Sequence, residues 1–145
     1  MFIASSLLIL GFGGWKIKEQ SLQLQQMSLS LAQEESAAIA KFKSAQKLGM
    51  EAASLAQNPP HPLQVWQEAQ NKWYQAIILL DSIPNETSVS ERAKRKLAYY
   101  RINYKSISQK VLIEKKALAN LESAQKLAIE ANLFVQNSPH SLLVR

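Results

Sequence analysis

One stretch of this chain occurs twice. Residues 44–66 read SAQKLGMEAASLAQNPPHPLQVW, and residues 123–145 read SAQKLAIEANLFVQNSPHSLLVR. The offset is 79 residues, and 13 of the 23 aligned positions are identical. The match reaches further upstream, where Glu35, Ala38 and Ala40 align with Glu114, Ala117 and Ala119. A fixed period is the sequence signature of stacked supersecondary units. A single unit cannot bury its own apolar face and must stack on a neighbour. The chain holds one complete unit and the opening of a second. The second copy reaches Arg145 at the place of Trp66, where the first copy continues into another helix. An apolar face is therefore expected to stand uncovered in the second copy. Either a partner covers it, or the chain belongs to something longer.

The periodicity between the punctuating residues is helical. From residue 16 to 57 there is no Pro, and the only Gly is Gly49. Gln, Leu, Ala, Glu and Lys dominate, and all are good helix formers. Steps of four and three join Ala38, Phe42, Ala45, Gly49, Ala52 and Ala56 into one narrow seam. The repeat places Ala117, Leu121, Ala124, Ala128, Ala131 and Val135 in the same register. Ala128 standing for Gly49 marks Gly49 as a close-packing position rather than a break. Asn58-Pro59-Pro60-His61-Pro62 ends this helix, because Pro removes donors and clashes with a continuing turn. Pro62 suits the first position of a second helix. That helix, about residues 63–82, carries Leu63, Trp66, Ala69, Trp73, Ile77 and Leu80 on one stripe. After a turn at residues 83–86, Ser88 and Glu91 form a Ser-x-x-Glu capping-box pattern. A third helix follows without Pro or Gly to about residue 136, roughly 70 Å at 1.5 Å per residue. Its seam is Ala93, Leu97, Tyr100, Tyr104, Ile107 and Val111. Strict continuation would land on Glu114, so the register shifts there to Ala117 and Leu121, a stutter.

The expected fold class is all-α, with long antiparallel helices at about residues 16–57, 63–82 and 88–136. They form an elongated helical-repeat hairpin or open bundle with coiled-coil-like seams. The first and third helices are expected to meet along their seams, with the Trp-bearing helix filling one end. A long Ala-rich seam also permits a homo-oligomer.

The amino terminus reads differently. Residues 2–15, FIASSLLILGFGGW, carry no charge. As a helix they span about 21 Å, short of the roughly 20 residues a bilayer core requires. No basic region precedes the apolar stretch, which argues against a secretory signal. The reading is an anchor in residues 1–15: a transmembrane helix, incomplete at its amino end, of a single-pass membrane protein. Residues 16–145 form the helical repeat region. Trp15 would sit at the interface with Lys16 and Lys18 outside it; the side of the membrane that holds the body is left open.

Composition narrows the chemistry. There is no Cys, which excludes disulfides and thiolate metal sites. The net charge of +6 permits an anionic partner without requiring one. Arg92, Lys94, Arg95, Lys96 and Arg101 cluster at the start of the third helix, near Tyr99, Tyr100 and Tyr104. Basic residues beside aromatics suit anionic lipid or a nucleic-acid backbone. A solvated basic face is the plainer reading, and no nucleic-acid motif accompanies it. Trp66 and Trp73, seven apart, share a helix face as core residues or as an aromatic pocket for a partner. His61 and His140 occupy equivalent turns with no metal-ligand spacing around them. The carboxylates are spread along helices, and no G-x-S-x-G or phosphate-binding Gly loop is present. Neither a cofactor nor a metal is expected, and the chain is not read as an enzyme.

Residues 66–104 carry a further pattern. It reads W66-x2-A69-x3-W73-x2-A76-I77-x2-L80-x2-I83-P84, then S88-x4-A93-x3-L97-x2-Y100-x3-Y104. This resembles the tetratricopeptide-like repeats of membrane-anchored cyanobacterial proteins. The small Ala positions and the Pro near a helix end are similar to a tetratricopeptide unit. The period of 79 departs from the usual spacing of about 34, and the Leu-Gly pair after the first Trp is missing. The resemblance implies protein–protein interaction and brings no catalytic residues with it. The functional expectation is a membrane-anchored helical scaffold or spacer. Two alternatives stand beside it: an anchor and spacer for a longer protein's active domain, and a basic helix that binds anionic lipid or nucleic acid.

Overall fold

The computed structural model describes residues 11–137, with side chains from residue 19 onward. Three helices follow one another: α1 (Gly11–Leu55), α2 (Leu63–Asp81) and α3 (Ser90–Asn137). Their starts and stops follow local chemistry. In the last turn of α1 the Ala56 and Gln57 amides donate to the carbonyls of Ala53 and Ser54, both at 3.2 Å, which tightens the end of the helix. Asn58 then takes φ 56°, the left-handed conformation that Asn tolerates better than most residues. Pro59, Pro60 and Pro62 keep the chain from re-entering a helix, and the Pro59–Pro60 bond is cis. Pro62 is the extended N-cap of α2 (φ −65°, ψ 156°), one place before the first helical residue. Its carbonyl accepts the Val65 amide at 3.0 Å.

The capping box at Ser88 does not form. α3 begins at Ser90, and Glu91 pairs with Lys94 at 2.9 Å. Ser88 turns instead to the other long helix. Its amide donates to Glu35 Oε2 at 3.0 Å, and its hydroxyl donates to Glu35 Oε1. A partner 53 residues away has displaced the local one.

The helix order in space also differs from the sequence expectation. α2 is wedged between the two long helices and packs on both, while α1 and α3 meet only at isolated side-chain contacts. The reason lies in α2. Trp66, Trp73 and Leu80 supply bulk on its buried face, and Ala69 and Ala76, both fully buried on that same face, allow close helix approach. That buried face, flanked by Lys72 bonded to Glu51 of α1 and Gln70 bonded to Ser108 of α3, makes α2 a shared core rather than an end plug. The α1 seam is buried as its spacing predicts: Ala38, Phe42, Ala45 and Ala52 are each at most 3% exposed. Burying a large apolar side chain such as Phe42 contributes about 2–3 kcal/mol.

Among the described residues, burial is confined to the carboxyl-terminal part of α1, to α2 with the turn after it, and to the amino-terminal half of α3. In α1, residues 19–34 are exposed throughout. In α3, the buried side chains are Ser90, Ala93, Tyr100, Ile107 and Val111. From residue 115 to 137 every residue is exposed. The stutter at Glu114 marks the end of the packed part.

The proposed anchor falls largely outside the described residues, since residues 1–10 are not among them. From Gly11 the chain is helical and continuous with α1. Among the described residues no helix is long and apolar enough to cross a membrane.

Candidate interaction surface

The two tryptophans singled out by sequence are not surface anchors. Trp66 is 5% and Trp73 4% exposed. Trp73 meets the Tyr100 ring edge-on, with centroids 4.7 Å apart, and Trp66 meets His61 edge-on at 5.1 Å. Trp66 Nε1 is buried without a hydrogen-bond acceptor. Both rings join α2 to its neighbours, so neither forms a pocket open to a partner. Their spacing of seven puts them on one helical face, and tertiary packing covers that face.

The basic residues of α3 are placed along its exposed side but are largely engaged. Arg92 lies over the Phe42 ring at 4.8 Å, and Lys96 over Tyr100 at 5.6 Å. Lys94 pairs with Glu91, whose carboxyl is held below its usual pKa by that hydrogen bond. Arg101 donates from Nη2 to Asp81 Oδ1 at 3.0 Å. Arg95 is exposed. Two of the five cations thus face carboxylates and two lie against aromatic rings. Arg92 and Arg101 tie α3 to α1 and α2, while the Lys94 and Lys96 contacts stay within α3. Exposed pairs of this kind contribute little to stability.

His61 caps the end of α1 by contact with the Gln57 carbonyl. His140 lies outside the described residues. Among the described residues no three His, Asp or Glu side chains lie together as metal ligands.

The surface that stands out is the second copy of the repeat. In the first copy the seam and its flanks, Ile39, Leu48 and Leu55, pack against the α2–α3 core. In the second copy the equivalent Leu118, Leu127 and Phe134 are exposed, Phe134 at 74%. Leu121, at the place of the 3%-exposed Phe42, is 54% exposed. Both copies are therefore helical and in the same register, and among the described residues only the first is covered. A contiguous exposed apolar face of this kind commonly marks an interaction site.

In the occupied copy two carboxylates fix the occupant. Glu51 accepts from Lys72 Nζ of α2 at 2.8 Å, and Glu35 holds Ser88 at the entry to α3. The Ser88 hydroxyl and amide lower the Glu35 pKa, and the Lys72 hydrogen bond lowers that of Glu51. Lys72 is raised in turn by its bond to Glu51. Sequence reading passed over these two glutamates as scattered helix carboxylates. The signal available was that the repeat retains both, as Glu114 and Glu130. No protein-family model, characterised protein or solved structure matches the chain.

Proposed function

We propose that this chain is a membrane-anchored helical scaffold or spacer that mediates protein–protein interaction and has no catalytic role. The observation that carries the reading is the uncovered second copy of the seam on α3. Its equivalent on α1 is a complete helix-docking surface in use. A surface of the same register and apolar character, left open to water, is stabilised by whatever covers it. The anchor rests on the fourteen uncharged residues 2–15 with Lys16 and Lys18 after them. The tetratricopeptide-like pattern of residues 66–104 points to the same role.

Cell fractionation with a C-terminal tag and protease protection tests the anchor. Expected is a chain retained by membranes through alkaline wash and released by detergent. A chain found wholly in the soluble fraction sinks the anchor. Crosslinking from those membranes tests the scaffold. Reproducible adducts through cysteines placed at exposed positions of residues 117–135 support it, and their absence counts against it.

A further inference from the structure

The repeat also indicates what kind of partner the open face fits. Six seam positions of α1 reappear on α3 at the same offset, all apolar, with their flanking apolar residues. Two polar anchors reappear with them. Glu51, which binds Lys72 of α2, corresponds to Glu130, and Glu35, which binds Ser88, corresponds to Glu114. Glu51 also pairs with Lys47 of its own helix at 4.0 Å, but both carboxylates reach beyond α1. They are placed to hold one helix by a Lys and the start of the next by a Ser. Their joint retention points to a two-helix occupant.

The geometry of α3 leaves room for it. At 100° per residue, the seam from Ala93 to Val111 and the seam from Ala117 to Val135 lie about 120° apart around the helix. α2 covers the first, so a hairpin on the second approaches from another side. The exposed half of α1 carries Leu24, Met27 and Leu31 at heptad-like steps, but this stripe is not a copy of the packed α3 seam. The same offset sets Ser21, Gln25, Ser28 and Ala32 opposite Tyr100, Tyr104, Ile107 and Val111.

One difference sets this face apart from the one that α2 and α3 of this chain fill. A methyl placed on Gly49 would lie 2.5 Å from Tyr100 Cζ and Oη. The second copy has Ala128 there, so a hairpin bearing Tyr at the place of Tyr100 would collide with it. We propose that residues 114–135 of α3 form a docking face for a partner's helical hairpin of the α2–turn–α3 kind. That hairpin carries Lys at the place of Lys72, Ser at the place of Ser88, and a residue smaller than Tyr at the place of Tyr100. The proposal rests on the scaffold reading above and names its partner class.

The test uses the full chain and a labelled synthetic peptide of residues 62–105 bearing Tyr100→Ala, followed by fluorescence anisotropy. The chain's own hairpin stays on α1, because a short linker gives it an effective concentration in the millimolar range. The Tyr100→Ala peptide is expected to bind and the native peptide to bind at least about tenfold more weakly; Ala128→Gly in the chain should remove that difference. Ala124→Glu, at an exposed position outside the three-helix core, should weaken binding by about a hundredfold or more while leaving the chain's circular dichroism unchanged. Glu130→Lys should weaken it about threefold, with recovery by a Lys72→Glu peptide. No binding, or binding indifferent to Ala124→Glu and to the residue at 128, overturns the proposal. Self-association of the full chain that Ala124→Glu abolishes also overturns it, because the occupant is then a second copy. If membrane crosslinking depends on Ala124 while the peptide does not bind, the hairpin fails and the scaffold reading stands.

Discussion

Gly49→Ala sets two well-known effects against each other. Gly49 lies inside α1, where replacing Gly by Ala in an exposed helix stabilises by about 1 kcal/mol. Here the new methyl would stand 2.5 Å from Cζ and Oη of Tyr100 and 2.9 Å from Cε2. Comfortable carbon contacts lie at about 3.5–4.0 Å, so the ring must retreat by about 1 Å. Tyr100 has little room to do so. It is 4% exposed, and behind it the Trp73 ring meets it edge-on at 4.7 Å. Overpacking a filled core costs about 1–3 kcal/mol. Against the helix gain, the expected net is a destabilisation of about 1 kcal/mol, or about 3 °C in Tm for a chain of this length. Urea unfolding followed by tryptophan fluorescence would read it. The same substitution in a Tyr100→Ala background should stabilise by about 1 kcal/mol, a coupling of about 2 kcal/mol between the sites. If Gly49→Ala stabilises the chain with Tyr100 in place, the close approach is not there and the reasoning fails.

Equivalent positions of the repeat should behave unequally. Phe42→Ala is expected to cost about 3–5 kcal/mol, while Leu121→Ala should stay within about 0.5 kcal/mol in the isolated chain; equal costs by urea titration would show that both seams are packed. Trp73→Ala should cost about 3–5 kcal/mol and cooperatively loosen all three helices, read by far-ultraviolet circular dichroism. Loss confined to α2 would contradict its place as the shared core. Acid should also weaken the fold. Glu35, Glu51 and Glu91 have lowered pKa values in the folded state, so their contribution is full above the usual carboxylate range and is lost as pH falls through the folded values. Lys72 is raised, so its share persists below the usual lysine pKa and is lost only at strongly alkaline pH. The urea midpoint is therefore expected to fall between about pH 5 and pH 3, and Glu51→Gln should flatten that fall. A midpoint that does not change across this window would refute the assignment.

The helices were legible in the sequence because their causes are local. Residues 16–57 lack a breaker, Asn58 to Pro62 forbids continuation, and the four-three spacing of Ala38, Phe42 and Ala45 selects the buried face. The stutter at Glu114 announced a change of face on α3 for the same reason. What failed was wherever a local partner competed with a distant one. Ser88 had Glu91 within reach in sequence and went to Glu35. Trp66 and Trp73 had a common face, but spacing does not say whether another helix lies over it. Nor does the pattern of α2 reveal that it packs on both long helices, which makes the shortest helix the centre of the structure. The repeat determined by itself that two surfaces of one kind exist. Tertiary structure alone decided that one is filled and the other open, because burial is a property of the neighbour that arrives and not of the residues that wait for it.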